Sequence, residues 1–207
     1  MTPQQILTFM HEMEQLKKEM RHSWLSNGRH ESVAEHVWRL SLLTMLVSPH
    51  LDNEVNLLHL LKMCIAHDIS EAYVGDVPSF SSTRVAHHTV EEQAMEAFRD
   101  RFSSNQAQEL FDLWIEYEHQ ATYESKVLKA LDKLEMRIQH NESDIKTWSD
   151  IEYPLCFYEA TVRCEFDSFL KEFNALVENE SKEKITSEST KDIDSVLDEA
   201  QHMFAKQ

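Results

Sequence analysis

Apolar residues recur at helical spacing along most of the chain. Thr2-Pro3 suits an N-cap followed by proline in the first turn, and Ile6, Phe9, Met10, Met13, Leu16 and Met20 follow it, which predicts a first helix to about residue 22. Ser26-Asn27-Gly28 interrupts that pattern. Ser32-Val33-Ala34-Glu35 then has the capping-box spacing, hydroxyl and carboxylate each satisfying a free backbone donor. It opens a second helix carrying Val33, Val37, Leu40, Thr44 and Val47, which stops at Ser48-Pro49. Between Val55 and Ile65 the positions are apolar nearly all the way round, as in a central, buried helix.

Gly75-Asp76-Val77-Pro78-Ser79-Phe80-Ser81-Ser82 is the long turn-rich stretch of the first half and reads as a loop directly after that helix. Amphipathic periodicity predicts further helices at about 89–102, 105–118 and 123–140, the last with a long stripe of Val127, Leu128, Leu131, Leu134 and Ile138. Residues 141–153 are mostly polar, and another core helix is expected from Cys156 to Leu176. Glu178 to Lys191 lacks apolar periodicity and reads as a mobile polar linker. The expected organisation is one helical domain over 1–177, a linker over 178–191, and a short helix over 192–207 that docks or stays loose.

Composition narrows the function. The 207 residues hold 20 Lys+Arg against 37 Asp+Glu, a net charge of −17, with 2 Gly and 4 Pro. The length fits one domain. Two glycines leave no Gly-rich phosphate loop and make an all-β fold improbable, so an all-α fold is expected. The acidic excess argues against a nucleic-acid polymer, which calls for a basic surface. Cys64, Cys156 and Cys164 are odd in number and scattered, which fits a reducing compartment better than a disulfide framework. No secretory leader pattern and no apolar run of about 18 residues is visible, so a soluble cytoplasmic protein without membrane contact is expected.

Four ligand-type side chains sit in apolar helical surroundings: His36, the adjacent His67 and Asp68, and Asp132 between Leu131 and Leu134. Charges are almost never buried unless paired or metal-bound. Two imidazoles and two carboxylates suit Mn, Fe, Co, Ni or Zn better than Ca. An isolated helical histidine is ordinarily satisfied or solvated, and the other ten of the 12 are read that way. Asp132 has an ordinary alternative, pairing with Lys133 or Arg137. Glu71, three residues after Asp68, shares its face if helical geometry persists. It could then move a proton beside a metal. Asp76 could hold a water or a sugar hydroxyl; a solvated helix end is the plain alternative for both.

These residues fall into three ordered motifs, Arg29-x-Glu31-Ser32-Val33-Ala34-Glu35-His36, His67-Asp68-Ile69-Ser70-Glu71-Ala72-Tyr73-Val74-Gly75-Asp76-Val77-Pro78, and Leu131-Asp132-Lys133-Leu134-Glu135-Met136. Over roughly residues 5–175 the chain resembles the HD-domain phosphohydrolases, within them the 5′-deoxynucleotidase branch. The resemblance implies a helical bundle around one divalent ion (Mn, Co, Ni, Fe, Zn or Mg) held by His36, His67, Asp68 and Asp132, with Glu71 and Asp76 as catalytic carboxylates. It further implies removal of the 5′-phosphate from (deoxy)nucleoside monophosphates by a homodimer. Arg21, Trp24, Asp68, Val77, Pro78 and Ser79 are the expected substrate contacts, and Arg29 could share the phosphate. The family's Arg-Trp pair is here Arg21-His22, and a Lys usual after the 77–79 turn is missing, with Arg84 as its possible substitute. Trp38, Trp114 and Tyr117 are compatible with a dimer interface or with the core. The alternatives are a deoxynucleoside triphosphate hydrolase on the same site and a nucleotide-binding regulator without turnover.

Overall fold

A computed structural model describes residues 1–204, so the last three positions of the expected C-terminal helix lie outside the described residues. Its elements in chain order are α1 (Pro3–Met13), β1 (Met20–Trp24), β2 (His30–Ser32), α2 (Val33–Val47), α3 (Leu57–Ala66), α4 (Glu71–Val74), α5 (Arg84–Phe102), α6 (Asn105–His119), α7 (Tyr123–Glu142), α8 (Glu152–Leu155), α9 (Glu159–Cys164), α10 (Ser168–Glu188) and α11 (Ile193–Phe204). This is the expected helical bundle. Among the described residues no helix is long and apolar enough to cross a membrane.

The centre is α7, which packs against α2, α3, α6, α9 and α10. Thr122 and Ser125 cap its start, and Val127, Leu128, Ala130, Leu131 and Leu134 are fully buried along it. Each such large aliphatic side chain contributes about 1.5–3 kcal/mol by leaving water. Asp132 is carried into the core by that same stripe.

Several expectations change. The first helix ends at Met13 and tightens into a 3₁₀ turn over Glu14–Lys17. Residues 20–24 then leave helical geometry to pair antiparallel with 30–32, Met20 opposite Ser32 and Trp24 opposite His30. Gly28 makes the reversal possible with φ +81°, a region open to glycine without steric cost. The helix α3 is apolar all round in sequence but not buried all round: Leu60, Met63, Cys64 and Ala66 are inside, whereas Leu58 is 65 % and Ile65 58 % exposed.

The helix expected over 156–176 is broken into α9 and the start of α10, with the short α8 just before it. The side chain of Asp167 accepts from Leu170 N–H and so starts α10 afresh. The segment read as a polar linker is helical to Glu188. The buried positions of α10, Leu170, Asn174, Val177, Ser181 and Ile185, keep helical spacing, and two of the five are polar. Asn174 Oδ1 accepts from Arg137 at 3.0 Å, and Ser181 Oγ donates to Asn141 Oδ1 at 2.8 Å. The helix α11 docks: Val196 and Ala200 bury against Ile145, Trp148, Tyr153, Cys156, Phe157 and Ile185 in a second small core. All three cysteines are free and buried.

Candidate active site

His36 lies on α2, His67 caps the end of α3, Asp68 follows it, and Asp132 faces them from α7. Ligand atoms of His36, His67 and Asp132 come within 4.8 Å of one another. His36 Nε2 is 3.2 Å from Asp132 Oδ1 and 3.9 Å from Asp68 Oδ2, and His67 Nε2 is 3.2 Å from Asp68 Oδ1. Both Nε2 atoms and Asp68 Oδ2 are buried without a hydrogen-bond partner, an arrangement that is costly unless something else satisfies them.

The outer contacts settle how the rings are presented. His67 Nδ1 is 2.8 Å from the Cys64 carbonyl oxygen, which can only accept, so the proton is on Nδ1 and the Nε2 lone pair faces the group. His36 Nδ1 donates to Glu135 Oε2 at 2.5 Å and turns Nε2 toward the group. Tyr117 donates to Asp132 Oδ2 at 2.8 Å, leaving Oδ1 turned toward His36. Such outer partners orient ligands and raise their basicity. Burial and Arg21 press His36 toward its neutral form, but Glu135 and Asp132 outweigh them and hold its pKa up at about 9. Against the cost of its burial, Lys133, His36 and His67 hold Asp132 well below the usual carboxylate range. Two imidazoles and two carboxylates turned inward would, once His36 gives up its Nε2 proton, fit a divalent cation of borderline softness.

Above this group opens a cavity of about 250 Å³. Arg21, on β1, enters it with Nε 3.3 Å from Glu31 Oε2 and Nη1 3.8 Å from Asp68 Oδ2. Although burial opposes its charge, Asp68 and Glu31 raise its pKa further. Glu71 opens α4, its N–H bonded to Asp68 O at 3.1 Å, so the 3₁₀-type turn stacks the two residues. Its Oε2 is buried without a partner, and burial together with Asp68 and Asp76 raises its pKa well above the ordinary value. Gly75, at φ +80°, swings the chain past Glu19, whose carboxylate accepts from Asp76 N–H at 3.1 Å. A Cβ at residue 75 would stand 3.2 Å from Glu19 Oε1. Val77, Pro78, Ser79 and Arg84 also line the cavity.

The structure thus brings Arg21, His67, Asp68, Glu71, Asp76, Val77, Pro78, Ser79 and Asp132 to one cavity, with His36 fully buried behind them. Trp24 is not brought there: its ring packs at a tilt against His30 at the hairpin tip with centroids 3.7 Å apart. Arg29 is committed elsewhere, bidentate to Glu35 at 2.6 and 3.0 Å. Trp114 and Tyr117 belong to the core, whereas Trp38 is 68 % exposed. Lys133 does pair with Asp132, at 3.6 Å, while Arg137 turns to Asn174. Sequence reasoning missed Glu135 and Tyr117 as supports of His36 and Asp132; Glu135 was traceable, since it follows Asp132 by three residues and shares its face.

An HD-domain family model matches residues 13–163. The chain belongs to the HD-domain family. That span carries His36, His67, Asp68, Glu71, Asp76 and Asp132, so every residue of the site lies inside the matched HD domain. The 5′-deoxynucleotidase HDDC2 of Xenopus laevis is 35 % identical over 137 residues, 65 % of this chain and 67 % of that protein. The 5′-deoxynucleotidase hdd1 of Schizosaccharomyces pombe is 33 % identical over 169 residues, 72 % of this chain and 84 % of that protein. Among solved structures, a predicted metal-dependent phosphohydrolase from Magnetospirillum magnetotacticum superposes with a TM-score of 0.74 at 25 % identity, covering 87 % of this chain and 93 % of that one.

Proposed function

We propose that this HD domain is a phosphomonoesterase that removes the 5′-phosphate from deoxynucleoside monophosphates. The observation that carries the reading is the convergence of unpartnered His36, His67 and Asp68 atoms with Asp132 beneath a cavity that Arg21 enters. The 5′-deoxynucleotidases among its relatives support the choice of substrate.

His36, His67, Asp68 and Asp132 would hold one divalent cation. When bound, the cation supplies Lewis acidity toward a phosphoryl oxygen and a water molecule. Arg21, kept charged by Asp68 and Glu31, faces the equatorial phosphoryl oxygens and offsets the charge that grows there. Glu71, with an unpartnered oxygen on the cavity wall, carries a proton to the leaving 5′-oxygen. Asp76 orients the water or the sugar, held in place by Glu19 through its backbone N–H. Val77, Pro78 and Ser79 close the side of the cavity against the substrate. The −17 net charge is overridden locally by the cation and Arg21.

The functional unit we propose is a homodimer in the cytoplasm. On α2 the outward positions Trp38, Leu42, Met45 and Leu46 form an apolar stripe, and Leu58 and Ile65 are exposed on the neighbouring α3. A second copy is the occupant that fits: a twofold contact is self-complementary, and an apolar face allows two strongly acidic chains to meet without opposing charges.

The test is a panel of deoxynucleoside mono- and triphosphates, with phosphate, pyrophosphate and triphosphate assayed separately on protein loaded with Mn, Co, Ni, Mg or Zn. Phosphate from monophosphates is expected. Triphosphate or pyrophosphate from triphosphates would favour a triphosphate hydrolase, and tight binding without product a regulator.

A further inference from the structure

A second cluster of titratable groups lines the same cavity away from the metal ligands. Glu152, on α8, is 4 % exposed and is surrounded by donors. Its Oε2 accepts from Ser149 N–H at 2.6 Å, from Ser149 Oγ–H at 2.7 Å and from His22 Nε2 at 3.3 Å. Its Oε1 lies 3.4 Å from His140 Nε2. The carboxylate therefore fixes two imidazoles from two distant parts of the chain, one on β1 and one on α7. A carboxylate favours an N–H over a lone pair, so each ring turns Nε2–H toward Glu152, and among the described residues neither Nδ1 has a hydrogen-bond partner.

The helix α7 gives this cluster its place. Asp132, Met136 and His140 recur at one-turn intervals and all line the cavity. Eight residues at 1.5 Å each separate the metal-ligand end from His140 by about 12 Å along the helix. The wall between is apolar at Met136, and His22 stands edge-on to Phe80 of the opposite loop with centroids 5.4 Å apart. A phosphate at the metal-ligand end thus leaves that length of cavity for a sugar and a flat ring before His140 is reached, and His22, next to Arg21 in the chain, lines the same cavity.

We propose that His22 and His140, held by Glu152, are the specificity-determining residues of the cavity, reading an uncharged polar edge of the nucleoside. This rests on the phosphohydrolase reading above. The reading edge consists of the two Nδ1 atoms. The Glu152 hydrogen bond favours charged His22, which offers a donor, and burial favours neutral His140, which offers an acceptor. The edge belongs to the base or to the sugar hydroxyl, and the ligands separate the two.

Calorimetry on the full chain loaded with Mn tests this, titrating the four deoxynucleosides, their 3′-deoxy analogues and inorganic phosphate. His140→Phe and His22→Phe should each weaken deoxynucleoside binding about tenfold, the worth of one buried hydrogen bond, while the phosphate isotherm stays in place. Retention of the effect with 3′-deoxy analogues assigns the base; its disappearance assigns the 3′-hydroxyl. Unchanged deoxynucleoside binding, a parallel loss of phosphate binding, or no deoxynucleoside binding by the wild type overturns the proposal. Should His140→Phe fail to fold by circular dichroism, His22→Phe, at a side chain 39 % exposed, carries the test alone. Failure of the phosphohydrolase reading shows separately, as absence of phosphate release from deoxynucleoside monophosphates by the wild type.

Discussion

Replacing Glu135 with Gln keeps the shape beside His36 and removes the charge. In the native protein Glu135 is 1 % exposed and His36 fully buried, with 2.5 Å between Oε2 and Nδ1. A hydrogen bond to an ionised partner contributes about 1.5–3 kcal/mol and a neutral one about 0.5–1.5. The difference, about 1–1.5 kcal/mol, is transmitted to the metal through the basicity of His36 Nε2 and amounts to roughly tenfold in Kd. That lies at the lower edge of the 10–100-fold range for outer partners of metal ligands. Competition with a chelating dye reads the Kd directly. Thermal melts with and without cation give a second reading: the gain in Tm on adding saturating metal should shrink by about 3–5 °C. The metal-free protein has no reason to lose stability on the same scale, because Glu135 also repels Glu31, whose pKa burial and Glu135 together push up to about 7. An unchanged Kd in Glu135→Gln, or a fall in Tm of equal size with and without metal, would refute the reasoning.

Tyr117→Phe removes the hydroxyl that holds Asp132 Oδ2 at 2.8 Å and should weaken metal binding about tenfold, read by the same dye competition. For acid stability, Glu152 is held at about 2 in the folded protein, His22, His140 and Ser149 outweighing its burial, against an ordinary 4.5. Its contribution, on the order of 3 kcal/mol, is present above pH 4.5 and lost as pH falls toward 2. Acid titration followed by circular dichroism should therefore show a shallower decline across that window in Glu152→Gln. Trp38→Glu places a charge in the exposed stripe of α2 and should convert a two-chain species to a single-chain one in light scattering, with metal content unchanged.

The sequence was most legible where one helix face does one job. The adjacent His67-Asp68 and Asp132 sit in apolar surroundings that are unusual for ligand-type side chains, whereas His36 is marked by its helical position alone and joins them through the ordered motifs. The hairpin at 20–32 was hidden because Leu16 and Met20 continue the helical spacing of the residues before them. The fold breaks there because the extended segment brings Arg21 alongside Glu31 and Asp68, a long-range gain no local period reports. The last turns of α10 were hidden for the opposite reason. Ser181 and Asn174 are buried through hydrogen bonds to Asn141 and Arg137, and a scan for apolar spacing passes over polar residues whose partners lie about 40 positions away. Glu135 and Tyr117 looked like ordinary members of amphipathic helices. Their role depends on which atom of His36 and Asp132 each one touches, and only the assembled site shows that.

The central claim is that one buried group binds a divalent cation while a separate carboxylate handles the proton. Elemental analysis and phosphate release from a deoxynucleoside monophosphate, measured on the same preparations of wild type, Asp68→Asn and Glu71→Ala, test it most directly. The wild type should hold one cation per chain and release phosphate, and Asp68→Asn should lose both. Glu71→Ala should keep the cation and lose turnover by about 10²–10⁴. Full turnover in Glu71→Ala, or in a metal-free Asp68→Asn, would contradict the account.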